Sequence, residues 1–340
     1  MSDDLSQKLQ RYLAEKLGAS DLRVTNLSRI PGGASRETYR FRARYSDANV
    51  AKDRALILRR DPPASLIDTD RTTEFRAYQA FHRLGLPVPE PIALETDNSP
   101  LDRPFFIMEE IENCSVASIL LPDPYSSYRE KVGEQFFSIL GRIAAADPDE
   151  IGLGDLEGAR ECCWQHETER WERVIDEDER EPQPIARAAI RWLKRNPPPP
   201  AQKISIVHGD YRTGNFLYDA EGSIRAILDW EMAHLGDPLE DLAWALDPLW
   251  SHGDSSRAAG TIAREEAIRV WEKSSGLRFD PVAFHWWEVF ASLKGLGIWI
   301  SAAREYFEGR NPDPVNAFSG WYCLAFHNNV LAERLSERVA

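Results

Sequence analysis

The stretch from Ile204 to Leu242 constrains this chain more than any other. A short apolar run, Ile204-Ser205-Ile206-Val207, leads into His208-Gly209-Asp210, and Asn215 follows five residues after Asp210. A strand pattern comes next (Phe216-Leu217-Tyr218), then a turn (Asp219-Ala220-Glu221-Gly222) and a second strand from Ile224 to Leu228 that ends on Asp229. Asp210, Asn215 and Asp229 therefore stand at the ends of buried-looking strands. A loop followed by a hairpin can fold them onto one point.

That set matches what phosphoryl transfer from ATP requires. One carboxylate accepts or orients the proton of the attacking hydroxyl, and a carboxamide and a second carboxylate hold Mg2+ on the phosphates. The spacing H-x-D-x-x-x-x-N, followed by a strand ending in Asp, is the kinase catalytic-loop and metal-loop pattern. Asp210 is the expected catalytic carboxylate, Asn215 and Asp229 are the expected metal ligands, and Arg212 could neutralise charge on the transferred group. His208 reads as a structural histidine bonded to nearby backbone, because phosphoryl transfer needs little general-base help.

HGDYRTGN followed by ILDWEMAHLGDP resembles the aminoglycoside phosphotransferase and choline kinase superfamily, and in particular the phosphotransferase domains found fused to acyl-CoA dehydrogenases. The likeness runs from roughly Leu27 to Trp244. It implies a two-lobed α+β protein-kinase-like fold: a mostly antiparallel N-terminal sheet lobe over residues 1–109 and a larger, mostly helical C-terminal lobe over residues 110–340. It also implies ATP and Mg2+ as cofactors and a small-molecule hydroxyl as acceptor, either aminoglycoside-like or hydroxyacyl-CoA-like. A non-catalytic nucleotide-binding pseudokinase is the alternative. Asp229-Trp230-Glu231 in place of D-F-G argues against a regulated protein kinase.

The N-terminal stretch supplies the nucleotide-binding candidates. Leu5 to Leu17 has apolar residues at helical spacing and stops at Gly18, and Leu22 to Leu27 and Glu37 to Tyr45 alternate as strands. Between them Arg29 to Ser35 is a glycine turn, where the resemblance places Gly33 and Ser35 against the phosphates. Arg54 to Arg60 is the next strand. Kinase-like folds carry a phosphate-clamping lysine here; the matching residue is Arg59, with Arg60 as the other choice. Glu74 to Leu84 reads as a helix capped by Thr72-Thr73, and the resemblance pairs Glu74 with the clamp. Pro87, Pro89 and Pro91 form an extended connector. Phe105 to Glu109 is a buried strand leading to a hinge, where the backbone from Glu109 through Ile111 would meet the adenine.

Tyr128 to Ala146 is amphipathic and is expected to be the long core helix of the second lobe. Cys162 to Asp178 shares Trp164, Trp171, Val174 and Ile175 on one face, with Glu167, Glu169, Glu172 and Glu177 on a solvated face. Ile185 to Leu193, Pro238 to Leu249, Ala263 to Ser274, His285 to Phe307 and Ala317 to Arg338 read as further helices. Asp237 and Asp241 are expected to cap and pin the helix after the catalytic block. Trp287, Trp299 and Trp321 are the aromatic candidates for an acceptor pocket.

Composition narrows the partners. A net charge of −14 offers nothing to offset phosphate repulsion, so no nucleic-acid partner is expected. No apolar run approaches a membrane span, and MSDDLSQKLQ lacks a signal-peptide pattern, so a cytoplasmic protein that binds no membrane is expected. The four cysteines, two of them adjacent, have no CxxC spacing and read as reduced thiols.

Overall fold

The computed structural model describes residues 2–30, 37–48, 50–61, 71–97, 100–118, 121 and 123–336. The chain forms two compact units, one of residues 1–115 with 225–232 and one of residues 116–224 with 233–340.

The smaller unit is built on one antiparallel sheet. Helix α1 (Ser2–Lys16) precedes strands β1 (Arg23–Ile30), β2 (Glu37–Asp47) and β3 (Val50–Arg60). Helix α2 (Arg71–Arg83) and strands β4 (Pro91–Glu95) and β5 (Phe105–Glu109) follow, and the strand order is β1-β2-β3-β5-β4. Thr72 and Thr73 lie within the first turn of α2 rather than ahead of it as caps, because the helix begins at Arg71. The proline-rich connector contains a true strand: β4 begins on Pro91 and pairs with β5 at the sheet edge, where a missing N–H costs nothing.

Strand parity decides what each face of this sheet carries. Phe41, Ala43, Leu56, Leu58, Phe105 and Ile107 point to one face, where Leu5, Leu9 and Leu13 of α1 cover them. On the opposite face Phe106 meets Phe75 and Tyr78 of α2, with ring centroids 6.1 and 6.4 Å apart. Residues 55–58 of β3 are all buried, as expected of a central strand covered on both sides. Residues 225–232 return to this unit: Trp230 is buried and stacks on Phe81 at 4.5 Å, and Ile227 N–H donates to Pro87 O.

The larger unit is mainly helical. After the two-residue strand β6 (Ser115–Val116) come α3 (Arg129–Ala145), α4 (Cys163–Asp178) and α5 (Pro184–Arg195), then β7 (Ser205–Val207) and β8 (Phe216–Tyr218). Strand β9 (Ile224–Ile227) carries the chain out of this unit, and the chain returns to it at β10 (His234–Gly236). Helices α6 (Leu239–Ala245), α7 (Arg264–Ser275), α8 (Pro281–Phe307), α9 (Pro314–Phe318) and α10 (Leu324–Ser336) complete it.

The long core helix is α8, with 27 residues, and not α3 with its 17. Its residues from Ala283 to Gly297 are buried nearly all round, which gives an apolar run without the one-sided periodicity of a surface helix. Asp280 caps it by accepting N–H bonds from Val282 and Ala283, with Pro281 at the first helical position. Helix α3 packs closely on α7 at Gly141, where a Cβ would lie 2.8 Å from Trp271 O. The expected final helix is divided in two by a π-helical segment, Ser319–Cys323. Glu167 departs from the solvated face expected of it: it is 1% exposed, turned toward His234 of β10. All four cysteines are free. Among the described residues no helix is long and apolar enough to cross a membrane.

Candidate functional site

In the larger unit the loop from His208 to Asn215 starts where β7, paired antiparallel with β10, ends. Its turn needs two left-handed glycines, Gly209 at φ 83° and Gly214 at φ 97°. A side chain at Gly214 would also meet the Arg212 guanidinium, 2.7 Å from the Cβ position. The loop is pinned from below. Tyr211 is buried, stacks on Phe136 at 4.4 Å and donates to Phe136 O at 2.7 Å. Thr213 bonds Tyr125 Oη at 2.6 Å and His252 Nε2 at 3.1 Å.

Asp210 is held on its carboxylate by three neighbours. Arg212 Nε donates to both oxygens at 3.0 and 3.1 Å, Trp244 Nε1 donates to Oδ1 at 2.8 Å, and Asn215 Nδ2 donates to Oδ2 at 2.6 Å. Its side chain keeps 18% of its surface exposed, so a polar group can still reach it. Asn215 spends its amide nitrogen on Asp210, on the backbone O at 2.9 Å as well as the carboxylate, which directs the carboxamide oxygen elsewhere. Arg212 lies over the Trp250 ring at 4.9 Å and donates to Thr213 O.

His208 is buried and its Nδ1 accepts the Asp210 N–H at 3.1 Å, a bond to local backbone. Asp241 does not cap its helix. It sits within α6, and its carboxylate accepts the N–H groups of His208 at 2.6 Å and Gly209 at 3.0 Å. Burial pushes the Asp241 carboxyl up to about 6, with Lys294 opposing. Asp237 does cap: its Oδ1 accepts from Leu239 N at 2.9 Å, and burial raises its carboxyl to about 6.

In the smaller unit Arg59, Glu74 and Asp229 form one ionic set. Arg59 shares its sheet face with Ile57, the face that α2 covers, so its guanidinium reaches the fully buried Glu74. The same Nη1 donates to Asp229 Oδ1 at 3.1 Å. Arg60 points the other way, onto Glu37 at 2.8 Å. Asp229 is left-handed at φ 65°, a conformation that Asp tolerates better than most residues, and its N–H donates to the Tyr78 hydroxyl oxygen at 3.1 Å. Its side chain is 44% exposed. Burial together with the Glu74 charge, and against the Arg59 charge, keeps the Tyr78 hydroxyl well above its usual range. Glu109 ends β5 with its N–H donated to Glu90 O, and Ile111 follows half-buried outside any strand. Gly33 and Ser35 lie outside the described residues.

The structure thus brings Asp210, Arg212 and Asn215 together in one unit, and Arg59, Glu74 and Asp229 together in the other. The sequence reading missed Trp244, Asp241 as a loop anchor, and Lys294. For Trp244 the only signal was an indole on the helix following the catalytic block. The tryptophan candidates for an acceptor pocket separate: Trp287 is buried and bonded to Asp237, Trp299 donates to His327, and Trp321 is 74% exposed.

The comparisons agree with this architecture. The model of the phosphotransferase enzyme family matches residues 26–277. Human acyl-CoA dehydrogenase family member 11 is 25% identical over 323 residues, 90% of this chain and 40% of that protein. Mouse acyl-CoA dehydrogenase family member 10 is 30% identical over 240 residues, 70% of this chain and 22% of that protein. The chain therefore spans about 40% or less of these two relatives. Viomycin phosphotransferase of Streptomyces vinaceus is 26% identical over 168 residues, 47% of this chain and 55% of that protein.

Among solved structures, a Ralstonia eutropha protein described as a candidate aminoglycoside phosphotransferase superposes with a TM-score of 0.78 at 20% identity, over 98% of each chain. A thermostable aminoglycoside phosphotransferase mutant solved with ADP and hygromycin B gives 0.57 at 17% identity, over 97% of this chain and 100% of that one. At these identities they establish the fold, the two-lobed α+β kinase-like one. The matched residues run through both the Arg59–Glu74 pair and the Asp210 loop, and the chain belongs to the phosphotransferase enzyme family.

Proposed function

We propose that the protein is an ATP-dependent phosphotransferase that moves the γ-phosphate to a hydroxyl of a small molecule. The observation that carries this is the Asp210 carboxylate, fixed by Arg212, Trp244 and Asn215 yet partly open to solvent. Phosphoryl transfer depends on positioning and charge stabilisation more than on covalent chemistry by the protein. A carboxylate with both oxygens held in place suits a group that must orient one hydroxyl and take its proton.

Asn215 and Asp229 offer hard oxygen donors, the ligand type Mg2+ prefers, and they are the proposed metal ligands. When bound, Mg2+ supplies charge neutralisation on the phosphates. Arg59, fixed by Glu74, is the proposed α- and β-phosphate clamp; Gly33 and Ser35 are proposed to face the phosphates, and the backbone of Glu109 and Ile111 the adenine. Arg212 holds Asp210 and adds positive charge beside it. The proposed division is residues 1–109 for nucleotide and 110–340 for catalysis and acceptor, with Ile111 and Asp229 of the second stretch also serving the nucleotide; residues 225–232 pack with the smaller unit.

The acceptor is proposed to be aminoglycoside-like or hydroxyacyl-CoA-like, on the strength of the antibiotic phosphotransferase and the acyl-CoA dehydrogenase relatives. We propose a cytoplasmic setting with neither nucleic acid nor membrane as partner. The test is nucleotide consumption with Mg2+ across aminoglycosides, macrolides, hydroxyacyl-CoAs, choline and simple sugars, beside an Asp210→Asn control. Turnover with one class that disappears in the control supports the reading. Turnover that survives in Asp210→Asn refutes it, and nucleotide binding without transfer to any acceptor favours a non-catalytic module.

A further inference from the structure

We propose that Lys294, on α8, is a positioning residue for the Asp210 loop: one buried ammonium organises the two α6 side chains, Asp241 and Trp244, that hold it. The proposal rests on the reading of Asp210 as the catalytic carboxylate.

Lys294 is 1% exposed. A lysine is rarely so buried unless its charge is used, because an unpaired ammonium out of water is costly. Its Nζ donates to Glu240 Oε1 at 3.0 Å and lies over the Trp244 ring, 5.4 Å from the centroid. Trp244 in turn donates its indole N–H to Asp210 Oδ1 at 2.8 Å. Asp241, next to Glu240 on the same helix, accepts the His208 and Gly209 N–H groups. Lys294 is thus one step from the Asp210 carboxylate through Trp244, and it meets α6 at Glu240, the residue before the loop anchor Asp241.

Other charged and titratable groups share the region. His234 of β10 bonds Glu240 Oε2 at 3.1 Å, and Glu167 of α4 approaches His234 at 3.9 Å. Asp237 lies before α6, and Cys163 of α4 faces the charges of Asp237 and Glu240. Glu167, His234 and Glu240 bring possible metal-ligand atoms within 4.8 Å of one another. The Lys294 ammonium already sits on Glu240, however, so the cluster has its own cation.

The consequence is specific to charge. Asp241 can accept two N–H bonds with full strength only as a carboxylate, and burial disfavours that form. Lys294 offsets the burial, whereas the neighbouring Glu240 charge adds to it. Removing the ammonium should leave Asp241 protonated to higher pH and free one of the two loop amides. Removing the Glu240 charge should do the reverse.

The experiment follows hydrogen exchange of the His208 and Gly209 amides, together with the Trp244 indole N–H resonance, from about pH 5 to about pH 9. It reads no turnover, so it is independent of whether the acceptor has been found. In Lys294→Met the pH midpoint at which the loop amides lose protection is expected to rise by about one unit or more, and the Trp244 resonance to move. Lys294→Arg, which keeps the charge, is expected to stay near wild type, and Glu240→Gln to shift the midpoint downward. A folded Lys294→Met protein with the wild-type midpoint and an unmoved Trp244 resonance overturns the proposal. So does Lys294→Arg shifting as far as Lys294→Met, which assigns the effect to packing. Should Lys294→Met not fold, Glu240→Gln decides: a midpoint that stays or rises overturns the proposal.

Discussion

Removing Glu74 tests how the smaller unit uses its buried charges. Glu74 has no exposed side-chain surface, Arg59 has 12%, and the second partner of Arg59, Asp229, is 44% exposed at 3.1 Å. Deleting one member of a buried pair costs about 3–5 kcal/mol, because the other charge is left without compensation. A half-exposed carboxylate returns about 1 kcal/mol or less of that. Glu74→Leu should therefore destabilise α2 and β3 by roughly 2–4 kcal/mol. Arg59→Met alone should cost at least as much, since it takes the guanidinium away from a fully buried carboxylate. The double variant, Arg59→Met with Glu74→Leu, replaces the pair by apolar groups of similar volume and should fall within about 1 kcal/mol of wild type. Native-state hydrogen exchange at β3 and α2 amides measures all three without requiring the whole chain to unfold in one step. The double variant should nevertheless lose Mg–ATP affinity, because the proposed phosphate clamp is gone. Additive losses in the cycle, or a Glu74→Leu cost below about 1 kcal/mol, would refute the reasoning.

Three further outcomes are expected. Trp244→Phe deletes a hydrogen bond to a charged acceptor, worth about 1.5–3 kcal/mol, and should lower stability in urea by at least that amount while slowing any phosphate transfer. Asp247→Ala removes a buried carboxylate that accepts from Leu249 N, His327 Nε2 and Arg334 Nη1 at 3.0, 2.9 and 3.1 Å, so a loss of about 3–5 kcal/mol is expected in the same assay. Stability should also depend on pH in two opposed ways. Asp247 and Glu240 are held down to about 2 by their cationic partners, so their contribution is complete above the unfolded carboxylate range and is lost as pH falls toward 2. Asp237 and Asp241 are raised to about 6, so theirs is complete below the unfolded range and is lost as pH rises through 6. The Asp237→Asn variant should flatten the second limb, which pH-dependent unfolding would show.

Much of this was legible because it is local. Period-two alternation in β1 and β2 and the capping signature Asp280-Pro281 announced their elements from sequence alone. The spacing from Asp210 to Asn215 places both on one loop whatever surrounds them. What escaped was non-local. Strand β4 hid behind three prolines, and β10 is only three residues, one of them glycine. Glu167 sits in a run of acidic residues, and only its encounter with His234, far along the chain, makes it a buried group. Lys294 carries no sequence signal of its own; its meaning depends on Glu240, which is 54 residues earlier. Asp241 and Trp244 carry ordinary helical spacing, and nothing in that spacing says that both turn toward one loop.

The most direct test of the account is calorimetric titration of ATP, with and without Mg2+, into the wild-type protein, Asp210→Asn and Asp229→Asn. Binding should require Mg2+, be nearly unchanged in Asp210→Asn and be clearly weakened in Asp229→Asn. Binding indifferent to Mg2+, or undiminished in Asp229→Asn, would contradict it.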